Sequence, residues 1–171
     1  MSSEVSGLRA LAHPVRLRIL SLLTGTELSA AEVARELGLT HANASYHLRQ
    51  LAAAGQLEVA GEVRIRGGVA KRYRHPWGTA PAPVADEESR GLYLDALAAE
   101  LKRRFPLRRR EGGAQVVDAE LWVDTEVWSE VRELVNRAVL LLHGRARPPR
   151  TDGTVHVNLT AAVFEITDED S

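Results

Sequence analysis

Apolar residues recur at helical spacing through the first third of the chain. Val15, Leu17, Ile19, Leu20, Leu22 and Leu23 give the stretch "HPVRLRILSLL" a broad apolar face. Pro14 stands where a helix starts, since the N–H it lacks would be unpaired there anyway, and Gly25 is the stop signal. In "LSAAEVARELG" the pair Ser29 and Glu32 has capping-box spacing, Ala30, Val33, Ala34 and Leu37 follow on one face, and Gly38 ends the helix. Thr40 is placed to cap a third helix that runs to about Ala54, before Gly55. That third helix is unusually polar. His41, Asn43, Ser45, Tyr46, His47, Arg49 and Gln50 fill its first half, and Leu48 and Leu51 are its only large aliphatics.

Two short helices separated by about three residues around a glycine predict a helix-turn-helix. After Gly55 the period falls from 3.6 to 2. Leu57, Val59, Val63 and Ile65 alternate with charged residues, Gly67-Gly68 signals a hairpin, and Val69 to Arg74 return as a second strand, which makes a wing. The Pro- and Ala-rich stretch 76–88 reads as a linker. Asp86 caps a helix from about Glu87 to Phe105, ended by Pro106. "AQVVDAELWVDT" alternates as a strand, and Val127, Val131, Leu134, Val135, Ala138 and Leu142 then form the stripe of an amphipathic helix to about His143. "TVHVNLTAAVFEI" alternates as a last strand, and the acidic tail from Thr167 is expected to fray. The expected fold class is α+β: an N-terminal winged helix-turn-helix over 1–76, a linker over 77–86, and a small helix-strand-helix-strand domain over 87–171 for dimerisation or effector binding.

Composition is ordinary for a globular chain of 171 residues, with 44% hydrophobic and 26% charged. There is no cysteine, which excludes disulfides and thiolate chemistry. No apolar run approaches the roughly 18 residues of a membrane span, and no charged-then-apolar leader opens the chain. The expectation is a cytoplasmic protein with no membrane partner. The net charge of −1 conceals an asymmetry: residues 1–76 carry +4 and the remainder −5. That division fits one polyanion-facing module joined to an acidic one.

The second helix of a helix-turn-helix enters the major groove and offers its N-terminal residues to base edges. Asn43 can pair bidentately with adenine, Arg49 can take a guanine or a phosphate, and Ser45 and Thr40 can take either. Arg64, Arg66, Lys71, Arg72 and Arg74 surround the tip of the wing, a composition suited to phosphates or the minor groove. "LAHPVRLRILSLL", "LSAAEVARELGLTHANASYHLRQLAAAGQLEV" and "GVAKRYRH", in this order and spacing, resemble the winged helix-turn-helix repressors of the ArsR type over about residues 7 to 76. The resemblance implies a homodimeric transcriptional regulator, a repressor that an effector releases from double-stranded operator DNA. Carried over by position, it implies that Thr40, His41, Asn43, Ser45, Tyr46, His47 and Arg49 read DNA, with Arg66 and Lys71 in the wing. The cysteines by which metal-sensing members bind are missing, and helix 87–105 has no histidine for the alternative array. Neither metal site carries over, so no metal and no cofactor is expected.

The remaining residues with chemistry leave alternatives open. His13, before Pro14, fits a helix-start hydrogen bond, whereas His47 fits either a base reader or a buried histidine at the helix–core boundary. His75, His143 and His156 lie on different elements without ligand spacing. Trp122, Trp128, His156 and Phe164 are the candidates for an effector pocket, and core or dimer-interface packing is the plainer alternative for the aromatics. The run Lys102, Arg103, Arg104, Arg108, Arg109 and Arg110 is either a solvated stretch or a grip on phosphates or an anionic effector. No nucleophile–base pair, phosphate-binding glycine loop or carboxylate pair stands out, so an enzyme is not expected. The controlling signal is then a small molecule or a protein partner, unless the extension only builds the dimer.

Overall fold

A computed structural model describes residues 8–78 and 86–167. Most of the linker and the end of the acidic tail expected above lie outside the described residues. After a helical turn at 8–11, the elements are α1 (Pro14–Leu23), β1 (Leu28–Ser29), α2 (Ala30–Leu37), α3 (His41–Ala53), β2 (Glu58–Ile65), β3 (Gly68–Arg74), α4 (Glu87–Arg104), a 3-10 turn (Phe105–Leu107) and α5 (Thr125–Gly144).

The helix ends form as the sequence predicts. Ser29 and Glu32 make the reciprocal capping box of α2. Gly38 takes the left-handed conformation at φ 66° and returns its N–H to the Ala34 carbonyl, so the chain can turn into α3. The Thr40 hydroxyl accepts from the Asn43 N–H at 3.2 Å and caps α3. His13 caps α1, its Nδ1 accepting from the Val15 N–H at 3.1 Å. Arg18 reaches across from α1 to donate to the Leu37 carbonyl at 3.1 Å, which satisfies one of the orphan acceptors at the end of α2.

The core lies between α1, α2 and α3. Ile19, Leu23, Val33, Leu48 and Leu51 are almost wholly buried, with Ala44 and Leu57 alongside. α4 packs on α1, where Ala96 joins the same cluster and Tyr93 and Leu97 lie against it. Glu100 of α4 is buried but ion-paired with Arg103 at 2.8 Å and Arg104 at 3.1 Å.

The three strands form one antiparallel sheet in the order β1-β3-β2. β1 pairs Leu28 with Tyr73 and Ser29 with Arg72. At two residues it is too short to show an alternation in the sequence. The wing turns at Arg66-Gly67, one residue earlier than expected, because Ile65 pairs with Gly68 and Gly67 takes φ 99°. A bulge between Val59 and Gly61 adds one residue to β2. The extra residue reverses the alternation, so Val59 shares a face with Tyr73, while Val63 and Ile65 lie on the other. The four apolar residues therefore do not form the single face expected from their spacing.

The region after α4 also departs from expectation. Residues 114–124 and 154–166, read as strands, belong to no sheet, and α5 has no buried residue. One helix and two unpaired extended segments do not enclose a core of their own. The end of α5 nevertheless returns to the N-terminal unit. His143 stacks on Trp77 at 4.3 Å, Arg150 pairs with Glu36 at 2.9 Å, and a Cβ at Gly25 would stand 2.8 Å from the Arg147 carbonyl oxygen.

Glu32 is the joint between sheet and helices. It accepts from the Ser29 N–H and hydroxyl and pairs with Arg72 of β3 at 3.1 Å, and Arg72 also donates to the Glu27 carbonyl. Replacement Glu32→Ala removes the capping box and the tie together. It is expected to cost about 1–2 kcal/mol, read as a lower urea midpoint with an unchanged denaturant slope.

Candidate nucleic-acid interface

Burial divides α3 along its length. Ala44, His47, Leu48 and Leu51 face the core, whereas His41, Asn43, Tyr46, Arg49 and Gln50 are exposed and Ser45 is intermediate. Asn43, Tyr46 and Gln50 recur three and seven residues apart, so they lie in one stripe on the outer face, flanked by His41 and Arg49. The site expected from sequence lacks Gln50, although the 43–46–50 spacing includes it. Thr40 is exposed at the head of this helix. Its oxygen holds the cap, and its hydroxyl proton remains able to donate.

In the wing, Arg64, Arg66 and Lys71 are exposed. Pairing of Glu62 with Lys71 and of Arg64 with Val69 puts Arg64 and Lys71 on the same face of the hairpin, with Arg66 at the turn. Cations on a two-stranded tip beside a polar helix suit phosphate oxygens and groove edges. Arg72 departs from this. It is half-buried, and its guanidinium is spent on Glu32 and the Glu27 carbonyl, so it holds β3 to α2 instead of pointing outward. Arg74 pairs with Glu58 and lies 3.8 Å from Glu27.

His47 lies away from this outer stripe. Only 5% exposed, it packs its ring 4.8 Å from that of His13 and 5.3 Å from that of Tyr46. It sits as a core histidine, because position 47 falls between Ala44 and Leu51 on the buried face. Of the candidate effector residues, Trp122 is 84% exposed and Phe164 69%, and Trp128 donates from Nε1 to Glu165 at 2.8 Å. A depression of about 440 Å³ is lined by Trp122, Val123, Asp124 and Val127, without Trp128, His156 or Phe164. A second, of about 600 Å³, is lined by Pro106, Arg108, Arg109, Arg110, Gly113 and Ala114 of the basic run. Of the histidines outside the helix-turn-helix, His75 bonds the Gln56 carbonyl at 2.7 Å and His143 stacks on Trp77.

The His13–His47 contact has an electrostatic consequence. Burial, followed by the charges of His13 and Arg16, pushes the His47 imidazole below its ordinary range, and burial followed by Arg16 does the same to His13. Among the described residues, His47 Nδ1 and Arg16 Nε are buried without a hydrogen-bond partner. A histidine whose folded pKa is depressed favours the unfolded state as pH falls, since the unfolded chain protonates first, below about pH 6.5. Stability is therefore expected to be constant above pH 7 and to fall towards pH 5.5, by at most about 1.4 kcal/mol per pH unit for each linked histidine. Thermal melts of His47→Leu should show a shallower decline over this window, and an unchanged slope would exclude His47 as a source.

Comparison with known proteins places residues 11–60 in a match to a family described as a helix-turn-helix domain, a span that contains α1, α2 and α3 and the start of β2. No curated protein matches the chain. Among solved structures, the chain is similar to a possible transcriptional regulatory protein (fragment 1–100) from Mycobacterium bovis, at 26% identity and a TM-score of 0.37, over 57% of this chain and 91% of that one. Residues 11–60 thus carry a helix-turn-helix, within a mixed helix and sheet fold that holds a three-stranded antiparallel sheet.

Proposed function

We propose that this protein is a sequence-specific DNA-binding transcriptional regulator of the ArsR type, a repressor that works as a homodimer in the cytoplasm. It acts by binding and not by catalysis. The observation that carries the reading is the outward stripe of Asn43, Tyr46 and Gln50, with His41 and Arg49, on a capped helix seated in a helix-turn-helix. Arg64, Arg66 and Lys71 are its companions in the wing. α3 enters the major groove, Asn43 takes an adenine edge and Arg49 a guanine or a phosphate, while the wing cations fix the register on the backbone. Two copies set their recognition helices about 34 Å apart, one helical turn of a roughly palindromic operator. Residues 87–171 serve dimerisation, effector sensing or both.

Titration of the full chain against promoter fragments tests the proposal, with a clear preference for one site expected over random DNA of equal length. Asn43→Ala should cost about 1–3 kcal/mol and relax preference at a single base position. Arg66→Ala should weaken all sequences alike and make the salt slope shallower by about 1. Retention without sequence preference, or an Asn43→Ala protein indistinguishable from wild type, would sink this placement of α3.

A further inference from the structure

We propose that residues 114–166 form an exchange arm, whose two extended segments find their β-partners only in a second copy of this chain. The inference rests on the homodimer reading above and gives it a mechanism.

Three observations carry it. The first is unspent backbone. Among the described residues, no backbone hydrogen bond is made by 114–123 or by 155–166, although both alternate as strands do. Both segments reach the same end of α5, where one leads directly into the helix and the other is held by the Trp128–Glu165 bond. Even so they do not pair with each other. Rows of free N–H and C=O groups beside apolar side chains are templates for added strands.

The second is exposed area. Much of it is apolar and belongs to the arm: Val117 is 85% exposed, and Leu121, Trp122, Val155, Val157 and Phe164 are likewise uncovered. Patches on this scale are not left to water by a finished assembly.

The third is self-complementarity. Asp118, Glu120, Asp124 and Glu126 line the start of the arm, and Lys102, Arg108, Arg109 and Arg110 precede it, all exposed. A two-fold axis brings the acidic stretch of one copy to the basic run of the other and repeats the contact in reverse. A second copy also brings the same two unpaired segments, so every strand gains a partner without another kind of molecule. The link between α5 and the N-terminal unit, through Trp77–His143 and Arg150–Glu36, holds the arm to its own copy while its strands are shared.

Sedimentation velocity and hydrogen exchange on the full chain decide the matter. The expected species has twice the mass of one chain, with slow amide exchange over 115–123 and 155–166. Trp122→Glu and Val157→Pro, made separately, should each raise the dimer Kd by at least about tenfold while the helical signal and melting of the N-terminal unit persist. A wild-type dimer whose arm amides exchange freely overturns arm exchange alone, as does one that both variants leave intact, and the dimeric DNA reader survives either result. A wild-type monomer at tens of micromolar overturns both readings. Arm protection that appears only with another protein bound would assign the surface to that partner and overturn this one.

Discussion

The structure depends on the burial of one face of α3. Ala44, Leu48 and Leu51 are wholly enclosed by α1 and α2, and their removal from water fixes the rotation of the helix about its axis. At 3.6 residues per turn, fixing one face fixes the other. Asn43, Tyr46 and Gln50 are turned outward because the alanine and leucines between them are held inward. The same constraint takes His47 off the outward face and sets its imidazole beside His13 and Arg16, where burial and their charges disfavour its protonated form.

The root of the sheet is held by charge as well as by apolar contact, with Leu28 and Tyr73 packed against the core. β2 and β3 extend beyond the core, and their outer halves are exposed. What ties their base is Arg72, enclosed by Glu32 and the Glu27 carbonyl, with Arg74 on Glu58 just outside. Glu32 also caps α2, so one carboxylate couples the start of the first helix of the motif to the root of the wing. Arg72 illustrates why a count of basic residues overstates a binding surface. Of the five cations around the wing, Arg64, Arg66 and Lys71 remain outward, while the other two hold the scaffold together.

Beyond α4 the chain follows a different principle. α5 is amphipathic yet buries nothing, and the flanking extended segments carry apolar side chains with no ladder of their own. A helix of 20 residues with its stripe in water is stable only when something covers that stripe. The anchors through His143 and Arg150 hold the far end of α5 to the body of its own copy.

Local features were legible in the sequence because they rest on contacts a few residues apart. The capping box at Ser29 and Glu32, the cap at Thr40, the left-handed Gly38, the histidine cap of α1 and the helix-turn-helix itself all follow from spacing and residue type. So does the existence of a wing. What depends on distant partners was not legible. His47 fits the outer and the inner face equally until α1 is packed against it. The bulge at Val59–Gly61 and the strand β1 exist only through their partners in β3, and Arg72 is taken by a carboxylate forty residues away. The alternation of 114–124 and 154–166 states that these segments suit a sheet, but pairing requires a second strand. Periodicity along one chain specifies which face is apolar. Only tertiary structure, and beyond it assembly, decides what that face meets.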